Sequence, residues 1–418
     1  MTDASREFDV VVFGATGFAG ELTARYLAEH APPGTRIALA GRSESKLEQT
    51  RAQLPPAAKN WPLIVADSDS PASLDAMAAR TRVVATTVGP YLKYGEELIS
   101  AVANAGSDYV DLTGEVPFVR WTIDKYDELA AQTGARIVHA CGYDSIPSDL
   151  GVHELYRQVQ ADDAGTLGET TMVVDAFRGG VSGGTVDSMR VITELARDKD
   201  QRRLLMNPHA LSSGPGTVPR GGGDSAPSDS QIGKASDVDP SLRGSIAPFV
   251  MASYNTRIVR RSHYLMGEAY GPDFRYAEAM RVGKNAITSR IVAAGVAAGI
   301  GALFAGMSMK PTRRVLDRFL PKPGEGPSEE ARENGFFKHK TFTTTSTGAR
   351  YVSKVEAQGD PGYKATAMML GEAALTLALD RDKLPDRHGI LTPASAMGEA
   401  LTDRLRAAGM TIKAERIG

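Results

Sequence analysis

Seven residues near the start of the chain, GATGFAG at Gly14 to Gly20, leave few folds open to it. They follow an apolar, β-branched run, Phe8 with Val10 to Phe13, and precede ELTARYLAEH, which has helical character. A short continuous apolar run reads as a strand buried on both faces, as in a parallel sheet. Glycines 14, 17 and 20 then recur at three-residue spacing. A dinucleotide asks for one glycine in the tight turn, one where backbone meets pyrophosphate, and one where helix and strand close together. Free N–H groups at the helix start hold the negative charge. The expected contacts are Gly14, Thr16, Gly17, Phe18 and Gly20. The pattern is GxxGxxG rather than the better-known GxGxxG, and a purely structural glycine bend has the same composition. The strand before it and its place in the chain favour the nucleotide turn.

The next segments follow the same plan. Thr35 to Ala40 reads as a second strand running into GRSESKLEQ. At this point in such folds an acidic residue accepts the ribose 2′-hydroxyl, whereas an arginine suits a 2′-phosphate. Arg42 and Ser43 stand there with Lys46 one helical turn on, and no carboxylate precedes Glu44. That set favours NADP over NAD, because a guanidinium matches a bidentate anion; two solvated cations at a helix start are the plainer reading. Pro62 to Ala66 forms a third strand ending at Asp67, which either meets the adenine amino group or caps the following helix. Arg82 to Val88 forms a fourth, leading into Gly89 and Pro90. SDYVDLTGE and ARIVHACGYDSIPSD follow, each after a helical stretch. Regular alternation of this kind predicts an α/β fold, a Rossmann-like doubly wound parallel sheet over residues 1–150.

Beyond it, residues 151–160 read as helix and Thr170 to Phe177 as a strand. RGGVSGGTVDSM then makes a glycine-rich turn opening a helix. Residues 212–248 are rich in Gly, Pro, Ser and Asp and predict a long flexible loop, either lid or linker. HKTFTTTSTGARYVSKVEAQG carries two strands about a turn at Thr347 and Gly348, so a second α+β domain with an antiparallel sheet is expected over 151–360. Residues 361–418 read as C-terminal helices packing back on the first domain, one of them started by Thr392 and Pro393.

At 418 residues and 42% hydrophobic content the chain can bury a large core. A net charge of −2 gives no pull toward nucleic acid. The single cysteine, Cys141, excludes an internal disulfide and suits a reducing compartment. It ends an apolar strand with no assignable base, which marks it as buried and inert. MTDASREFDV has no apolar stretch, so no secretory signal is expected. Seven histidines are scattered singly, and no metal is expected. The uncharged segment 291–309, IVAAGVAAGIGALFAGMSM, approaches the length of a membrane span. It is Ala- and Gly-rich, with Gly295 and Gly299 spaced for close helix packing. Arg290 precedes it and Lys310, Arg313 and Arg314 follow. Shallow contact with an anionic membrane surface through 290–314 is expected; a buried or homodimer-interface helix is the alternative.

The stretches FDVVVFGATGFAGELTARYL, AGRSESKLE, TTVGPYLKYGEELISAVANAGSDYVDLTGE and HACGYDSIPSDLG resemble the saccharopine dehydrogenase-like oxidoreductases. SGGT at 182–185, NTRIVRRS at 255–262, PKPGEGPS at 321–328, TTTSTGARY and DPGYKATAMMLGEAALTLALDRDKL extend the resemblance to the mycobacterial trans-acting enoyl reductase branch, over nearly the whole chain. The resemblance implies NADPH-dependent reduction of the 2,3 double bond of a lipid-like acyl thioester carried by a polyketide synthase. Hydride goes to Cβ, an enolate forms, and a proton must reach Cα. Because ligands sit outside the C-terminal strand ends of such sheets, Val88, Gly89 and Pro90 are expected at the nicotinamide. Tyr94, Tyr143 and Asp144 are the expected catalytic set: either tyrosine as acid, Asp144 as an orienting group. The turn at 182–185 is a candidate donor to the thioester oxygen. Two other functions stay open. A dehydrogenase of small amino-acid-like substrates would use Arg257, Arg260 and Arg261 as carboxylate anchors, although that run equally suits a basic face beside lipid headgroups. A non-enzymatic lipid-associated protein would keep the fold alone. The expected location is cytoplasmic, at the periphery of a membrane.

Overall fold

Two seven-stranded sheets carry the chain. The computed structural model describes residues 6–180, 183–218, 229–283, 286–308, 312 and 326–418. The strands are β1 Phe8–Phe13, β2 Ile37–Gly41, β3 Leu63–Val65, β4 Thr81–Thr86, β5 Asp108–Val110, β6 Arg136–Val138, β7 Leu167–Arg178, β8 Gly233–Lys234, β9 Ser245–Pro248, β10 Arg275–Val282, β11 Phe336–Thr345, β12 Arg350–Gln358, β13 Gly389–Leu391 and β14 Thr411–Arg416. The helices are α1 Phe18–His30, α2 Glu44–Gln53, α3 Pro71–Ala79, α4 Tyr91–Tyr94, α5 Glu96–Ala105, α6 Val116–Thr133, α7 Ile146–Ala161, α8 Gly183–Leu195, α9 Lys199–Met206, α10 Ala252–Leu265, α11 Ala286–Ser308, α12 Glu329–Glu333, α13 Lys364–Leu379, α14 Pro393–Ala396 and α15 Gly398–Ala407.

The first sheet is parallel throughout, in the order β13-β6-β5-β4-β1-β2-β3. Every residue of β1 is buried, and alternate side chains enter opposite layers. Val10 and Val12 pack with Leu27 of α1 and with Met369, Ala373 and Leu377 of α13; Val11 and Phe13 pack with Leu74, Met77, Ile99 and Ile123 on the other face. Helix α13 is apolar on all sides, as its place between sheet and α1 requires.

The second sheet runs β14-β12-β11-β7-β10-β9-β8. It is mixed: β7 and β10 pair in parallel, and the remaining pairs are antiparallel. Helices α7 and α10 cover it through Val152, Leu155, Val159 and Val259. The segment read as a long loop supplies β8 and β9 to one edge, because Ile246 and Ala247 find buried partners there; its residues 219–228 lie outside the described part. The C-terminal stretch is not helical alone. It adds β13 to the first sheet and β14 to the second, and the helix begun at Thr392 ends after one turn at Met397. Thr392 and Ser395 form a reciprocal capping box there.

Candidate active site

The glycine turn is built as its spacing requires. Gly14 has φ +88°, a left-handed conformation open to glycine. A Cβ on Gly20 would stand 2.1 Å from the Gly14 carbonyl oxygen, so α1 meets β1 only because that position has no side chain. Gly14 N–H donates to Ala40 O (3.0 Å), which draws the tip of β2 beside the turn. Gly17 is the N-cap of α1, and no side chain caps the first-turn N–H groups of that helix. Gly17, Phe18 and Ala19 line a cavity of about 340 Å³. Its walls continue through Thr87 and Gly89 after β4, Leu112 and Gly114 after β5, Asp144 after β6, the start of α8, Val250, Met251, Ser253 and Tyr254, Phe304 of α11, and Tyr363 with Thr366 before and within α13. Most of the remaining wall is apolar: Val116, Met189, Ile192 and Leu205.

The expected cofactor residues separate into two groups. Gly17, Phe18 and Gly89 line the cavity; Gly14, Gly20 and Val88 do not, and Pro90 is the N-cap of α4. Thr16 is exposed beside the turn. Arg42 and Lys46 are exposed at the tip of β2 and make no ion pair or side-chain hydrogen bond among the described residues, while Ser43 caps α2. Asp67 does not cap α3, whose N-cap is Ser70; its Oδ1 accepts Asp69 N–H (3.1 Å) in a local turn.

The expected catalytic residues separate too. Asp144 lines the cavity, no hydrogen-bond donor reaches its carboxyl among the described residues, and burial pushes it up to about 6. Tyr143, its neighbour, turns away: its hydroxyl meets His339 Nε2 at 3.0 Å and its ring packs on Phe337 of β11. Tyr94 lies at the end of α4, half-exposed, under the Lys93 ammonium, and does not line the cavity. Cys141 is fully buried and its thiol is pushed up by burial and Asp111. Ser182 of the SGGT turn lies outside the described residues. Gly184 and Thr185 begin α8 and line the cavity, and Gly183 N–H donates to the Tyr363 hydroxyl (3.1 Å).

The three arginines of NTRIVRRS are corrected by the structure. Arg257, Arg260 and Arg261 are all buried. Arg257 and Arg260 each pair with Asp229 at 2.8 Å, and Arg261 donates to Leu211 O (2.8 Å) and Ile390 O (2.5 Å). Carbonyls of residues 205–211, those of Ser213, Ser253, Tyr276 and Ile390, and the Asp229 carboxylate take the hydrogen bonds they donate, so they serve neither as substrate anchors nor as a basic surface.

Other groups of the site carry no local signal in the sequence. Glu115 accepts Tyr91 N–H (3.0 Å), Leu92 N–H (2.8 Å) and the Ser188 hydroxyl (2.7 Å), tying α4 to α8; burial raises its carboxyl. Asp111 accepts from Tyr109 (3.0 Å) and Ala140 N–H (2.9 Å) and holds His139 Nδ1 at 2.7 Å. Tyr254 is buried at 4% exposure and lines the cavity, and its hydroxyl has no hydrogen-bond partner among the described residues.

No family model matches the sequence. The chain is 49% identical over 432 residues to one protein of Mycobacterium tuberculosis, with all of both chains covered. It is 47% identical over 425 residues to a trans-acting enoyl reductase of Mycobacterium tuberculosis and 46% identical over 427 residues to one of Mycobacterium ulcerans, again over the whole of each. The chain belongs to the trans-acting enoyl reductases. Among solved structures, apo saccharopine dehydrogenase (L-Glu forming) from Saccharomyces cerevisiae matches with a TM-score of 0.50 and 13% identity, covering 98% of this chain and 99% of that one. The likeness shows a shared fold. The reductase is thus an NAD(P)-dependent oxidoreductase on a saccharopine dehydrogenase-like frame, and the residues at its glycine turn fit a dinucleotide: a helix N-terminus without a capping side chain, and a bare backbone at Gly17 and Gly89 in the cavity wall.

Proposed function

We propose that the reductase uses NADPH to reduce the 2,3 double bond of a lipid-like acyl thioester presented by a polyketide synthase, with hydride passing to Cβ. The observation that carries this reading is the lining of one cavity, which brings together the glycine turn, Asp144 and Phe304 of the apolar helix α11. Its walls suit an acyl chain at one end and a dinucleotide at the other. Bound there, NADPH supplies the hydride. The first-turn N–H groups of α1 hold the pyrophosphate, and Arg42, Ser43 and Lys46 take the 2′-phosphate. Thr87 and Gly89 border the nicotinamide ribose. The start of α8, at Gly184 and Thr185, faces the thioester oxygen with its positive helix end as charge develops there. Glu115 keeps α8 in place through Ser188. Apolar walls exclude water from the enolate.

The same reading assigns α11 to the surface of an anionic membrane in the cytoplasm. Residues Thr288–Met307 have a mean hydropathy of 1.7, and Ile291 and Val292 are 71% and 49% exposed. Gly295 and Gly299 have open space before them, so a homodimer seam is the competing occupant.

Titration of the purified protein with NADPH and NADH tests the cofactor assignment. A charge-assisted pair contributes about 1.5–3 kcal/mol, so Arg42→Ala should weaken NADPH about 10- to 100-fold and leave NADH nearly unchanged. Equal loss of both, or preference for NADH in the unaltered protein, overturns the assignment.

A further inference from the structure

The pyrophosphate of a dinucleotide carries a negative charge on each phosphate, and the cavity wall does little to balance it. That wall holds the carboxyl groups of Asp144 and Asp187 and, among the described residues, no Lys, Arg or His. The N-terminus of α1 offers roughly half a unit of positive charge. Arg42 and Lys46 stand at the tip of β2, where the ribose 2′-phosphate is assigned. A cation for the pyrophosphate has therefore to come from outside the cavity wall.

Arg332 comes to the glycine turn from the second part of the chain. Phe18 is the first residue of α1 and part of the cavity wall, and the Arg332 guanidinium carbon lies over its ring, 5.3 Å from the ring centre. Arg332 belongs to α12, which leads into β11 of the second sheet. Two further contacts close this seam. A Cβ on Gly326 would stand 2.1 Å from Phe18 Cε1, so backbone lies directly on the ring, and the Tyr363 ring meets Phe18 edge-on at 4.8 Å. The backbone of the arginine is held as well: the Ser328 hydroxyl caps α12 by accepting Ala331 N–H (3.3 Å), and Asp360 N–H donates to Arg332 O (2.8 Å). Its guanidinium is only partly used. Nη1 donates to Pro327 O (2.7 Å), whereas Nε and Nη2 donate to no group among the described residues. The buried Asp360 carboxyl feels the positive charge without a hydrogen bond to it. A guanidinium held over an aromatic face still offers its in-plane N–H fork to an anion.

Resting on the dinucleotide reading of the glycine turn, we propose that Arg332 binds the pyrophosphate of the nicotinamide dinucleotide from the side of the second sheet. Nε and Nη2 donate to phosphate oxygens as a charge-assisted pair, and the Phe18 ring supports the guanidinium while they do so. The pyrophosphate is common to NADPH and NADH, so this contact adds affinity without choosing between them.

Arg332→Ala removes fork and stem together, and Arg332→Met keeps an unbranched stem on Phe18 while removing the charge. In fluorescence titration each variant should weaken NADPH and NADH alike, by about tenfold or more. Because the contact is charged and partly exposed, added salt should weaken NADPH less in Arg332→Met than in the unaltered protein. Should Arg332→Ala fail to fold, Arg332→Met decides the matter. Full affinity in Arg332→Met assigns the arginine to packing on Phe18 and overturns the proposal. A loss confined to NADPH, which moves Arg332 to the 2′-phosphate, overturns it too, as does equal salt dependence in the two proteins. In each of these cases the dinucleotide reading stands. An unaltered protein that binds neither nucleotide overturns that reading, and this proposal with it.

Discussion

Alanine placed at Gly20 should damage both the fold and the cofactor site, whereas alanine at Gly17 should damage the cofactor site alone. The added Cβ at Gly20 would lie 2.1 Å from Gly14 O, 2.7 Å from Gly14 C and 2.9 Å from Thr87 Oγ1. The two closest atoms are backbone, and a real Cβ is not found within 3.0 Å of such atoms, so α1 must retreat by about 0.9 Å. Overpacking on this scale costs about 1–3 kcal/mol, reduced by the roughly 0.5–1 kcal/mol that alanine contributes in a helix over glycine. A net loss of up to about 2.5 kcal/mol in denaturant unfolding is expected. With the pyrophosphate placed as proposed, the same retreat would stretch its N–H bonds from about 2.9 Å toward 3.8 Å, beyond hydrogen-bond range, so nicotinamide dinucleotide affinity should fall at least about tenfold. At Gly17 the nearest atom to a new Cβ is 3.4 Å away and φ is an ordinary −87°, so stability should change by less than about 0.5 kcal/mol. Yet Gly17 lines the cavity, and its methyl would stand where the pyrophosphate must come close. Chemical denaturation and fluorescence titration on both variants check this. Unchanged stability and affinity in Gly20→Ala, or an equal stability loss in Gly17→Ala, would refute the reasoning.

Burial raises Asp149 to about 7, although the Ser262 hydroxyl (2.5 Å) and Ala394 N–H (2.8 Å) donate to it. The folded chain therefore keeps a proton that the unfolded chain releases near pH 4, and this group's contribution to stability is lost as pH rises from about 4 to about 7. Denaturant midpoints across that window should show a flatter decline in Asp149→Asn than in the unaltered protein, and an unchanged slope would count against the shift. At α11, Ile291→Asp should leave stability within about 0.5 kcal/mol but reduce co-flotation with anionic phospholipid vesicles several-fold. Unchanged flotation, or a change in oligomeric state at constant flotation, would move α11 from the membrane to an interface between copies.

Local pattern and tertiary packing divide this molecule between them. The strands β1 and β2 were legible because burial on both faces of a parallel sheet demands continuous apolar runs, and the turn because only glycine accepts the φ of Gly14 or the contact at Gly20. The same reasoning found the hairpin of β11 and β12 and the cap at Thr392. β13 escaped it: GIL is three residues long and becomes a strand only because the edge of β6 offers it partners. Arg257, Arg260 and Arg261 read as a charged face until carbonyls fifty residues earlier and Asp229 enclosed them. Tyr143 and Asp144 are adjacent in sequence, yet one side chain turns to His339 on the second sheet and the other to the cavity. Tyr254 comes to that cavity from more than a hundred residues away. Sequence by itself determined the strands of the first sheet up to Val138, the helices between them and the glycine turn after β1, since periodicity and backbone sterics act over a few residues. Which polar groups share the cavity, and which spend their hydrogen bonds elsewhere, was decided only by tertiary structure, because burial and partner choice depend on contacts far apart in the chain.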